Sequence, residues 1–213
     1  MPQYCACGKT FDMDHAMTCK KGGYIHRRHD RVRDLFARVM DDVVQGVRTE
    51  PHLQPLSGEI LPAGANIEDG ARLDIVGRGF WNDFEMAFFD IKVFNPMAKS
   101  HLNKNLTTVF KENESGKKKL YNARIVRVEH GSFTPVVLSS YGGYGKETSR
   151  FVSQLVEKVA AKKDLEKSVV ANTLNKKVSF ELVRSQIACI RGSRSLKTIH
   201  IDLNDATSKV TLQ

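Results

Sequence analysis

Long apolar runs are missing from this chain of 213 residues. No stretch reaches 18 consecutive apolar residues, which excludes a transmembrane helix of ordinary length. The first residues, MPQYCACGKTF, carry neither the charged start nor the apolar centre of a secretory signal. No internal repeat or low-complexity tract interrupts the chain. Acidic residues are in deficit, with 24 Asp and Glu against 33 Lys and Arg, a net charge of +9. That balance favours a polyanionic partner, nucleic acid above all, or an anionic surface. Cysteine is scarce too: there are four, and three of them fall within the first 19 residues. This clustering suits a metal site better than a disulfide framework, and hence a reducing compartment. A nuclear location, or a cytoplasmic one before import, and no membrane association are the expectations.

What is present is enough to fold. The apolar fraction of 41% supplies a core for one domain with small appendages. Residues 1–24 are rich in Cys, Gly and Lys and look too short for a core of their own. From Ile25, the residues Val32, Leu35, Phe36, Val39, Met40, Val43, Val44 and Val47 recur at three- and four-residue steps, the apolar face of a long helix. VRTEPHL (47–53) reads as a strand and the Pro- and Gly-rich residues 54–70 as a loop. ARLDIVGRG and MAFFDIKVF read as two strands joined around FWND, with Pro96 ending the second. Helical character follows around HLNKNLTTVFKENE and KKKLYNARIVR, then a buried strand in FTPVVLSSYGG (133–143) with a glycine-rich exit. KETSRFVSQLVEKVAAKK and VSFELVRSQIACIRGSRS give the last helices, and the chain after 196 is polar. This order predicts an α/β domain with a mixed β-sheet flanked by helices. The expected divisions are a knuckle at 1–24, a core at 25–165, and a helical extension with a polar tail at 166–213.

Two of the apolar strands carry carboxylates, Asp74 in LDIV and Asp90 in FFDIKV. Side chains alternate along a strand, so Asp90 and Lys92 share one face while Phe89, Ile91 and Val93 take the other. If the strands pair antiparallel, Asp74 and Asp90 sit side by side, and two adjacent carboxylates repel unless a positive charge lies between them. Mg²⁺ or Mn²⁺ takes one or two carboxylates and keeps several waters, which suits phosphate chemistry. Lys92 would then position a water or steady developing charge. The alternative is a polar pair on the wet face of an antiparallel sheet.

The N-terminal cysteines form C-x-C-x₇-H-x₃-C: Cys5, Cys7, His15 and Cys19. Three thiolates and an imidazole complete a tetrahedral Zn²⁺ shell with no open position, which marks a structural rather than a catalytic site. Free thiols and a surface histidine are the other reading. Cys189 stands alone and reads as a buried apolar residue. Further along, Lys117, Lys118, Lys119, Arg124 and Arg127 could line a DNA backbone or form a solvated helix face. SSYGGYGKE (139–147) lacks the spacing of a phosphate-cradling P-loop and reads as a strand-to-helix connection.

The order of a helix, an early strand, Asp74 and then Asp90-x-Lys92 resembles the PD-(D/E)XK nuclease superfamily. Leu73 stands where that pattern has proline, and the second acid is Asp rather than Glu. A Cys-Cys-His-Cys knuckle running into Arg28-His29-Asp30, followed by Lys118-Lys119-Leu120-Tyr121, is similar to the restriction-like endonuclease end of site-specific non-LTR retrotransposon polyproteins. The resemblance spans about residues 5–125, and more loosely to 160. It implies a restriction-endonuclease-like core with a small zinc knuckle, and Mg²⁺-dependent hydrolysis of target DNA. Asp74 and Asp90 would hold the metal, with Glu50 as a further acid. Lys92 or Lys118 would be the catalytic lysine, Tyr121 its support or a DNA contact, and Arg28 and His29 phosphate contacts near the helix start. Retrotransposon RNA or a reverse transcriptase are further implied partners, and the oligomeric state is left open. The resemblance equally allows a domesticated, catalytically inactive DNA-binding protein with a structural zinc site.

Overall fold

The structure is a computed structural model that describes residues 3–192. A short helix α1 (Met13–Thr18) leads through a 3₁₀ turn into α2 (Tyr24–Asp41). Three strands follow, β1 (Gln45–Thr49), β2 (Ile75–Arg78) and β3 (Met86–Phe94), then α3 (Leu106–Arg124) and β4 (Ser132–Ser139). Two helices, α4 (Lys146–Lys163) and α5 (Lys167–Arg191), complete the order. None of the helices among the described residues is long and apolar enough to cross a membrane.

The sheet runs β1-β2-β3-β4, with β1 and β3 antiparallel to β2 and β4 parallel to β3. The connections account for this. β2 and β3 are joined by the short FWND turn, whereas β3 reaches β4 through α3, and a crossover helix is what allows parallel pairing. The fold is therefore α/β, with a mixed four-stranded sheet between helices.

β3 is covered on both faces, which explains its nearly unbroken apolar sequence. Ala87, Phe89 and Ile91 pack against Phe36 of α2, Phe151 and Leu155 of α4, and Leu174 of α5. On the other face Phe88 packs with Val76, Leu53, Leu73, Ile125 and Phe133. Asp90 and Lys92 belong to this second face, beneath α3.

Three boundaries differ from expectation. α2 stops at Asp41 instead of running to Val47, and Val43 and Val44 turn back to donate to the Met40 carbonyl. Two acids at a helix C-terminus oppose its dipole, and Gly46 takes a positive φ of 59° at the irregular start of β1. The last helix begins at Lys167 and is continuous to Arg191. Val170, Leu174, Val178 and Leu182 lie in the same core as α2 and α4. Exposed Val169, Phe180, Val183 and Ile187 blur the periodicity of α5. The N-terminal segment is not free-standing either. Its Cys5, Phe11, Ala16 and Cys19 meet Ile190, and Met17 and Tyr24 meet buried Cys189, all at the end of α5. The polar tail after 196 and residues 193–195 of RGSRS lie outside the described residues.

Candidate functional site

β2 and β3 pair in register up to Ile75↔Phe89. One step further along come Asp74 and Asp90. Two ladder bonds hold Asp74 between its neighbours: Glu50 N donates to the Asp74 carbonyl at 3.0 Å, and Asp74 N donates to the Phe89 carbonyl at 3.1 Å. Beyond this point β3 has no β2 partner, and its free edge is satisfied by side chains instead. The Ile91 amide donates to Asp74 Oδ2. His29 Nε2, from α2, lies 3.1 Å from both Asp74 Oδ2 and the Ile91 carbonyl. Burial works against a charged imidazole there, but the Asp74 bond and charge outweigh it and raise His29 to about 9, so the ring is an imidazolium at neutral pH.

Asp90 is buried under α3, with 6% exposure. Lys117 Nζ stands 2.7 Å from its Oδ2. The contact is a close ion pair, with the ammonium of Lys117 set directly against this buried oxygen. Burial raises the Asp90 carboxyl to about 6 against the pull of Lys117, and the Asp74 charge adds to the rise. Burial also opposes the charge on Lys117, yet Asp90 outweighs it and holds the ammonium above the usual lysine range. Lys117 lies 5.7 Å above the Tyr121 ring, four residues on, and Tyr121 in turn leans on Phe133. Lys92, half-buried on the Asp90 face, is pushed down by burial and by Lys117. Asp74, Asp90, Lys92, Lys117 and Tyr121 thus gather at one end of the β2/β3 junction.

Other expected site residues go elsewhere, each for a visible reason. Lys118 pairs with Glu147 of α4 at 2.6 Å, because one helical residue, roughly 100°, turns it away from Asp90. It is Lys117 that faces the acids, and three consecutive lysines gave no sign of which would. Glu50 adopts φ 50° and presents its carboxylate to Arg33 and to Arg72, the latter at 3.6 Å, not to Asp74 and Asp90. Arg28 is not an exposed phosphate contact: at 4% exposure it donates to the carbonyls of Met17 and Val93. Arg124 is fully buried and donates to the carbonyls of Gln54, Asn66 and Glu68, so it fastens the 54–70 loop to α3. Arg127 reaches the Ile60 carbonyl of the same loop, and Lys119 lies against Gly64. The glycine-rich connection holds no empty phosphate cradle. Glu114 accepts from Glu147 N at the start of α4, and a Cβ on Gly145 would meet its carboxylate at 2.1 Å.

The second centre lies at the N-terminus. Cys5 and Cys7 come from a tight turn closed by Cys5 N to Lys9 O and Gly8 N to Cys5 O, both 2.8 Å. His15 is in α1, which Asp12 caps by accepting from His15 N, and Cys19 follows at the helix end. One ligand atom from each of Cys5, Cys7, His15 and Cys19 lies within 4.8 Å of all the others. Cys5 and Cys19 sulfurs are 3.7 Å apart, and Cys7 Sγ is 3.3 Å from His15 Nε2. Two Zn–S bonds of about 2.3 Å at the tetrahedral angle span about 3.8 Å, so the donor set fits a metal ion such as zinc in type and in spacing.

No protein-family model matches the chain, and no curated protein matches its sequence.

Proposed function

We propose that this protein is a Mg²⁺-dependent DNA endonuclease, related to the restriction-like endonucleases of site-specific non-LTR retrotransposons, with a structural zinc in its N-terminal centre. One observation carries the reading. Asp74 and Asp90 follow directly on the last β2/β3 pair, and the crossover helix brings the Lys117 ammonium to 2.7 Å from the second acid. The succession of α2, three meandering strands, α3, a parallel β4 and α4 supports it.

The residues fit a hard cation. Asp90 offers a buried carboxylate whose only ion-pair partner among the described residues is Lys117, and Asp74 has a second oxygen, Oδ1, that makes no hydrogen bond among them. When bound, Mg²⁺ polarises a scissile phosphate and lowers the pKa of a water. The chain supplies the rest. His29 and the Ile91 amide orient Asp74, Tyr121 steadies Lys117, and Lys117 and Lys92 place positive charge where a phosphodiester gains negative charge. The net charge of +9 draws the DNA.

The test is incubation of the pure protein with supercoiled plasmid and Mg²⁺ or Mn²⁺. Wild type is expected to nick or linearise it, while Asp74→Ala and Asp90→Ala bind DNA but do not cut. Equal cutting by all three overturns the mechanism. A second reading, a DNA-binding protein without hydrolytic activity, draws on the same geometry: His29 and Lys117 each pair with one of the two acids and balance their charge. DNA binding by a wild type that cuts nothing, in either metal, selects it.

A further inference from the structure

Residues on one edge of a strand recur every second position. On the edge of β3 that β2 leaves unpaired, the carbonyls of Ile91 and Val93 are taken by consecutive residues of α2, Ile91 by His29 and Val93 by Arg28. The other terminal nitrogen of Arg28 donates to the Met17 carbonyl at 3.3 Å. Met17 lies in α1, between the metal-binding candidates His15 and Cys19. One buried guanidinium therefore touches the N-terminal centre on one side and the site-bearing strand on the other. Its rigid fork suits this bridging, because its donors point in fixed directions. The Nε of Arg28 is buried and has no hydrogen-bond partner among the described residues.

We infer that Arg28 is a positioning residue that couples the N-terminal Cys/His centre to the acidic site, so that a metal ion in the first tightens cation binding at Asp74 and Asp90. The coupling rests on the reading of those acids as a cation site. With the four ligands drawn together, α1 is fixed and Met17 O holds Arg28 against Val93 O. β3 is then clamped at Ile91 and Val93, with Lys92 between these points and Asp90 next to the first. With the centre empty, α1 loosens, the clamp slackens and the two acids no longer converge. Burial of Arg28 makes this role the opposite of a phosphate contact: losing it alters the site and leaves DNA affinity alone.

The experiment measures Mn²⁺ binding by electron paramagnetic resonance, using full-length protein stripped of metal and the same protein with one equivalent of Zn²⁺. Wild type, Arg28→Met and Arg28→Lys are compared, with plasmid cleavage, DNA affinity and hydrogen exchange across residues 88–94 recorded in parallel. In wild type, Zn²⁺ is expected to tighten Mn²⁺ binding by about tenfold or more, the size of effect typical of residues that orient metal ligands. In Arg28→Met, Mn²⁺ binding is weak and insensitive to Zn²⁺, exchange across residues 88–94 is faster, and DNA affinity is unchanged. Arg28→Lys, which keeps a donor for one carbonyl, recovers part of the response. Mn²⁺ binding in wild type that ignores Zn²⁺ overturns the coupling, as does an Arg28→Met variant that loses DNA affinity but responds normally to Zn²⁺. Should wild type neither bind Mn²⁺ nor cut DNA, the proposed function fails. Zn²⁺-dependent protection of residues 88–94, lost in Arg28→Met, then still decides whether the two regions are coupled.

Discussion

The N-terminal centre and the acidic site are held in place by different means. Around Cys5, Cys7, His15 and Cys19 the packing is limited to small clusters, Phe11, Ala16 and Ile190 beside them and Met17 and Tyr24 on Cys189. Asp74 and Asp90 stand on a four-stranded sheet covered on both faces, and their charges are met by His29 and Lys117. A region with few apolar contacts takes its order from whatever its ligands bind, whereas a region built on a core keeps its order when a ligand leaves. Loss of its own metal should therefore cost the first its fold and the second only its chemistry, and only the Arg28 contact passes the first loss on to β3.

The largest expected effect is on the first region. Cys19→Ala, or removal of the metal, should unfold residues 3–19 and lower stability by on the order of 5 kcal/mol or more. A thermal melt with and without one equivalent of Zn²⁺ measures it, and coincident melts would erase the contrast between the regions. Next come the acids. Asp74→Ala and Asp90→Ala should each lower cleavage by roughly a thousandfold, about 4 kcal/mol in the barrier, and Asp74→Ala should also melt several degrees lower because His29 and the Ile91 amide lose their partner. A global collapse of either variant would show that the acids are structural.

A smaller effect separates adjacent lysines. Lys117→Met should lower cleavage about a hundredfold and Lys118→Met about twofold or less, since only Lys117 faces the acids. The reverse ranking in a single-turnover assay would restore Lys118 to the site. The smallest effect sharpens the account of the acidic site without added metal. The His29 pKa is raised from 6.5 to about 9 by folding, so its pairing with Asp74 stabilises fully below about 6.5 and is lost as pH rises through 9. Urea unfolding should show stability falling by about 2 kcal/mol between pH 6.5 and 9.5, a slope that flattens in His29→Gln. An equally steep slope in that variant would assign the change to another group.

Much of the fold was legible because it repeats locally. The apolar steps of α2 and α4, the Pro and Gly punctuation around the strands and the FWND turn announced the element order. Strand alternation put Asp90 and Lys92 on one face, and ligand spacing marked the N-terminal cluster. The ends of elements were less legible, as in α2, where charge at the helix end decides the stop. α5 hid its membership of the core because it is apolar on its outer side as well.

The sequence by itself determined the alternation of helices and strands, the four metal-ligand candidates and the two acids in successive apolar segments, all of which depend on spacing along the chain. Only the tertiary structure decided which cation meets which acid: Lys117 rather than Lys118 on Asp90, His29 on Asp74, and Glu50 diverted to Arg33 and Arg72. It likewise turned Arg28 and Arg124 inward to backbone carbonyls. The physical reason is that a long charged side chain has no preferred partner until burial removes water as its competitor, and burial is a property of how distant segments pack.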